Sequence, residues 1–120
     1  MRYVLLAYAD EQRLEVLPSS QRAELGSACL ESDEALRKSG HLLAVQGLQR
    51  SRNATTVRVQ NGELSVSDGP YAATKEQLIG IFTIIARDLN QAIQVAATMP
   101  QARGGPIEVR PIEEFDLKER

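Results

Sequence analysis

Apolar and polar positions alternate along the 120-residue chain with two different periods. Tyr3-Val4-Leu5-Leu6-Ala7-Tyr8 is continuously apolar, which predicts a strand over Arg2 to Tyr8 that is covered on both faces. The polar run Asp10 to Val16 predicts a loop or one short turn of helix. Pro18 and Ser19 then open a helix to about Ser39. Leu25, Cys29, Ser32 and Leu36 share one stripe of it with Ala28 alongside, while Glu24, Glu31, Glu34 and Lys38 face water. Gly40 supplies the stop. His41 to Leu48 is a short apolar stretch, either a strand or an irregular crossing, and Arg50, Arg52 and Asn53 make a polar connection. Thr55 to Gln60 alternates, Asn61-Gly62 is a hairpin turn, and Glu63 to Ser67 answers with Leu64 and Val66.

Leu78 to Ala86 carries bulky apolar residues at both parities and belongs at the centre of a sheet. Asp88 caps a second helix with Gln91 at the capping-box position. Its predicted buried stripe is Leu89, Ala92, Ile93, Ala96 and Met99, and Pro100 ends it. Gln101 to Gly105 reads as a loop and Ile107 to Arg110 as a short strand. Residues 1–112 form a single domain, and 113–120 an acidic C-terminal tail. This order predicts an α+β, ferredoxin-like sheet with two helices on one face and an inserted β-hairpin. Two helices cover one face only, yet the first strand and the Leu78–Ala86 strand are apolar on both. A second copy, sheet against sheet, is the simplest cover, so a homodimer is expected.

Composition narrows the function classes. Apolar residues are 42% of the chain, but aromatics are only 4% and Trp is absent, so the core is aliphatic. The formal net charge is −2 with the signs interspersed, so no basic face advertises direct nucleic-acid binding or an anionic membrane. No apolar run reaches membrane-span length, and Met1 leads straight into a strand, leaving no room for a signal peptide. One cysteine excludes an internal disulfide and a Cys-built zinc site. A cytoplasmic protein without metal or cofactor is expected.

Candidate chemistry gathers in Asp68 to Gly80. In Asp68-Gly69-Pro70 the carboxylate cannot bond the N–H two residues on, because Pro70 has none. Asp68 is then either the lid of a rigid turn or a group that finds a partner elsewhere. Thr74 and Gln77 have capping-box spacing, so Thr74 to Gln77 reads as one helical turn. His41, the sole histidine, is read as a helix-terminal residue and Cys29 as inert core; Lys75 and Glu76 are ordinarily surface residues. No P-loop or dinucleotide fingerprint is present.

Four stretches carry a family resemblance over nearly the whole chain: Met1-Arg2-Tyr3-Val4-Leu5-Leu6, Ala54-Thr55-Thr56-Val57-Arg58-Val59, Asp68-Gly69-Pro70-Tyr71 through Leu78, and Arg103-Gly104-Gly105-Pro106 through Ile112. The chain resembles the DGPF-motif family of small bacterial proteins related to the YCII domain, with Tyr71 where that motif has Phe. The resemblance implies a dimeric α/β barrel shared by cofactor-free enzymes and binding proteins. It also implies a link to extracytoplasmic-function sigma factors through protein contacts. The His/Asp pair associated with the wider group has no matching histidine near the first strand and helix. A small-molecule-binding protein or cofactor-independent enzyme, with its pocket between sheet and helices, is the leading reading; a regulatory protein is the alternative.

The topology also places the site. With the first strand central and antiparallel to both the Leu78–Ala86 strand and the last one, its C-terminal end meets the loops that precede them. Tyr8, Asp10, Asp68, Tyr71, Lys75 and Arg103 are therefore expected at one edge of the sheet. There an ionised Asp68 beside a cation suits ligand orientation better than general-base work.

Overall fold

The computed structural model describes residues 1–114. Strand β1 (Arg2–Asp10) alternates fully buried Tyr3, Leu5, Ala7 and Ala9 with half-buried Val4, Leu6, Tyr8 and Asp10. Asp10 ends the strand and caps α1 (Glu11–Glu15), its Oδ1 accepting from the Gln12 N–H at 3.1 Å. Helix α2 (Ser19–Lys38) closes on Gly40 at φ 83°. The Gly40 N–H donates to Arg37 O and the His41 N–H to Leu36 O, a paired stop that only a left-handed residue allows without strain. β2 (Leu42–Gly47) follows, then a single 3-10 turn at Ser51–Asn53.

β3 (Thr55–Gln60) and β4 (Glu63–Asp68) form a two-stranded ribbon of their own. Asn61 and Gly62 turn it with φ of 52° and 78°, the doubly positive geometry for which Asn-Gly is suited. β5 (Glu76–Ile85) returns to the main sheet; Asp88 Oδ1 accepts from the Gln91 N–H and caps α3 (Leu89–Thr98). A four-residue helix α4 (Gln101–Gly104) leads into β6 (Ile107–Pro111).

The main sheet has the order β2-β5-β1-β6 with every pair antiparallel, which is the ferredoxin-like arrangement. Its core lies between the sheet and the helices, where Tyr3, Leu5, Phe82 and Ile84 meet Ala92, Val95, Ala96 and Met99. Each large side chain there contributes about 1.5–3 kcal/mol by leaving water. The molecule is 18 Å thick, the depth of one sheet and one helix layer. The face bearing Val4, Leu6, Tyr8, Ile81 and Thr83 is bare: Leu6 stands opposite Ile81 and Val4 opposite Thr83, and no helix of the described residues crosses them.

Three sequence expectations are corrected. Thr74 to Gln77 is not helical: the chain bends at Lys75, Glu76 and Gln77 already belong to β5, and the Gln77 side-chain amide donates to the carbonyls of Ala72 and Thr74. Gln101 to Gly105 is helical over α4, because Pro100 in αR geometry starts a turn rather than only ending one. On α3 the buried residues are Ala92, Val95 and Ala96, while Leu89 and Ile93 stay half exposed, so the helix is rolled towards Val95. Pairing reaches Ile112, whose N–H donates to Arg2 O. The tail expected over 113–120 falls largely outside the described residues.

Candidate functional site

Antiparallel pairing sets the C-terminal end of β1 against the start of β5, with Tyr8 opposite Leu78 and Asp10 opposite Glu76. A bulge lies between Ala7 and Tyr8, and Ile79 is the extra residue on the β5 side. On the other flank the Tyr8 N–H donates to Pro106 O at 3.0 Å. The bare face of the sheet meets the root of the hairpin at this corner. There a cavity of 690 Å³ opens, walled by Tyr8, Leu48, Tyr71 and Leu78 and edged by Arg50 and Ser51. Two shallower hollows, of 560 and 510 Å³, lie around Asp10, Thr74 and Lys75.

Of the residues expected at this edge, Tyr8, Asp10, Tyr71 and Lys75 are brought together. Lys75 Nζ stands 3.9 Å from Asp10 Oδ2; the carboxylate is largely sheltered and the ammonium exposed. Tyr71 is 78% exposed, and the Arg58 guanidinium lies 5.2 Å from its ring centroid, a cation–π contact from the polar side of the hairpin. The Tyr8 hydroxyl reaches Glu108 Oε1 at 3.4 Å.

Asp68 and Arg103 line none of these cavities. Asp68 is the exposed last residue of β4, paired with Thr55, and its carboxylate has no hydrogen bond or ion pair among the described residues. The turn is closed without it: the Gly69 N–H donates to Ala54 O at 2.8 Å and the Thr56 hydroxyl to Gly69 O at 2.9 Å. Arg103 is exposed on α4.

Sequence reasoning missed the clamp that holds the cavity edge. The Glu11 carboxylate accepts from the Ser51 N–H at 2.8 Å and from the Ser51 hydroxyl, and Arg52 pairs with Glu15 at 2.9 Å. Three contacts, two hydrogen bonds and an ion pair, thus fasten the 3-10 turn to α1. Nothing in the spacing of residues 11 and 51 signals this, since only the tertiary fold brings them together. His41 sits at the opposite end of the sheet, its Nδ1 2.8 Å from Ile85 O, so it faces none of these groups. Among the described residues no three His, Cys, Asp or Glu side chains gather to hold a metal. No described helix is long and apolar enough to cross a membrane.

A smaller cavity, of 300 Å³, lies between the sheet and the helices, with Asp33 and Gln101 on its walls. Burial pushes the Asp33 carboxyl above the usual carboxylate range, and the nearby Arg37 charge only partly opposes it. Burial likewise raises the Cys29 thiol, with the Asp33 charge adding to it.

A ferredoxin-like α+β domain with a hairpin-rooted cavity and a bare sheet face is the class these features define. The YCII-related domain matches residues 1–116, and the chain belongs to that family. It is also similar to an uncharacterised protein of Rhizobium meliloti (strain 1021), with 32% identity over 114 residues, spanning 93% of this chain and 92% of the relative.

Proposed function

We propose that the protein is a small-molecule-binding module that works as a homodimer, with its principal site in the 690 Å³ cavity at the hairpin root. The observation that carries this reading is the wall chemistry. Two tyrosines and two leucines make an apolar slot, and Arg50 stands at one edge as the donor. That combination suits a flat, largely apolar molecule bearing a carbonyl or carboxylate. Binding is favoured over cofactor-independent catalysis because the cavity wall holds a single carboxylate, Glu76, with no His, Cys or Lys beside it, and the carboxylates of the neighbouring hollow, Asp10 and Glu11, are already engaged. Asp10 is held by the Gln12 N–H and Lys75, and Glu11 by Ser51.

A thermal-shift screen of aromatic and cyclic carboxylates and lactones tests the reading. A ligand at one hundred times its Kd stabilises by about 2.7 kcal/mol, a rise of roughly 10 °C for a domain of this size. Tyr71→Ala, at an exposed position, leaves the unliganded melting temperature unchanged and removes the shift. If no compound shifts the protein saturably, or if Tyr71→Ala leaves a hit's shift intact, the site is misplaced.

A further inference from the structure

Beneath α2 the sheet is built from its smallest residues. Ala7, Gly80 and Gly47 lie side by side across β1, β5 and β2, each the register partner of the next. The layer above does not fill the space they leave. α2 fully buries only Leu36, and near the gap it presents Asp33 where an aliphatic residue would close it. Gln101, the first residue of α4, stands on the same wall. The resulting 300 Å³ cavity has an apolar floor of Ala7, Val45, Ile79 and Phe82.

Among the described residues, two buried side-chain atoms lack a hydrogen-bond partner: Asp33 Oδ1 and Gln101 Oε1. Both residues line this one cavity, and both atoms are acceptors. A buried acceptor without a donor loses its hydration with nothing in return, so two of them beside one void call for a reason. No protein group supplies the donor. The nearest cation on α2, Arg37, is half exposed and turned to Glu34 Oε2 at 3.5 Å.

We propose that this cavity binds a small organic cation, a primary alkylammonium. Its N–H groups satisfy Asp33 and Gln101, and its short alkyl chain lies along Ala7, Val45 and Phe82. An ammonium brings both the charge and the several donors that the two acceptors lack. The site is separate from the hairpin-root cavity and stands or falls without it.

The test is a titration of the isotope-labelled full chain with n-butylammonium chloride, followed by backbone amide shifts. Butan-1-ol and sodium butyrate are the uncharged and anionic controls. The ammonium alone should move the Ala7, Gly47 and Gly80 amides saturably. Asp33→Asn should weaken that binding at least tenfold while the remaining spectrum is preserved. Gly47→Val fills the cavity from the floor, where an added Cβ meets nothing within 4 Å, and should abolish the shifts. Equal shifts with butan-1-ol would mean a merely apolar hole. No saturable shift stronger than a Kd of about 10 mM would mean that water suffices. Either result overturns the proposal.

Discussion

At Gly105 one methyl group decides whether β6 can dock. Its φ of 176° is extended backbone open to any residue, so conformational freedom is not what requires glycine there. Space is the reason: an added Cβ would stand 2.0 Å from Tyr8 O and 3.3 Å from Ala9 Cα, and backbone cannot step aside as a side chain tip can. Gly105→Ala should therefore lower stability by about 1–3 kcal/mol or more. It should also speed hydrogen exchange at the Tyr8 amide, whose bond to Pro106 O is the nearest casualty. A urea midpoint equal to wild type would contradict this. Asp33 makes the opposite prediction. Its carboxyl is raised by burial, so the folded state holds its proton more tightly than the unfolded chain does. Stability is then lost as pH rises from the unfolded carboxyl value through the raised folded one, and the loss persists at neutral pH. Asp33→Asn should remove that descent and raise the melting temperature at pH 7 relative to wild type. If the variant is less stable at pH 7, the carboxylate has a structural partner.

Elements whose cause is local were legible from the sequence, and those that depend on tertiary contact were not. Asn61-Gly62 fixes the hairpin by its own φ preference, Gly40 stops α2, and Asp88 caps α3. The antiparallel topology then placed Tyr8, Asp10, Tyr71 and Lys75 at one corner, because strand direction alone dictates which ends meet. Asp68 and Arg103 failed to join them for different reasons. The sequence reads Asp68 as part of a loop, but it is still paired in β4, and its position beside Thr55 keeps it on the ribbon. Arg103 reads as loop in the sequence and lies instead on α4, exposed. The Thr74–Gln77 spacing mimicked a capping box, yet pairing of Glu76 and Gln77 with Asp10 and Ala9 draws that stretch into the sheet. Sheet hydrogen bonds with a central strand outweigh a single turn of helix that has no further turns to propagate. The Glu11–Ser51 clamp and the Asp33 cavity had no signal in sequence at all. Each is a contact between segments that periodicity treats separately.

Among the described residues two surfaces are left without a partner, and they bear on one prediction. The first is the bare face of the sheet. The second is one side of the hairpin, where Val57 pairs with Val66 and Val59 with Leu64, all between 58% and 68% exposed. A two-stranded ribbon alone is marginal in water, and four aliphatic side chains on one side of it mark a contact surface. In the proposed homodimer a second copy would cover the sheet face with a surface of matching flatness and chemistry, as twofold symmetry requires. Specific interfaces bury about 800 Å² per partner, and their affinity rests on how well the apolar centre of the contact packs rather than on area alone. Light scattering at micromolar concentration should therefore give twice the chain mass. Leu6→Glu sets a carboxylate in the middle of the bare face, opposite Ile81 and beside Glu108, and should yield a folded monomer. Val57→Ser with Leu64→Ser tests whether the hairpin shares the interface, since it should weaken the dimer without touching the core. Tyr8 and Leu78 lie on that same face and wall the 690 Å³ cavity, so the second copy would also roof part of the site. The Leu6→Glu monomer should then lose most affinity for any ligand found in the screen while keeping its circular dichroism spectrum. A wild-type monomer mass would sink the dimer outright, and a Leu6→Glu monomer with full affinity would show that the cavity is complete within one chain.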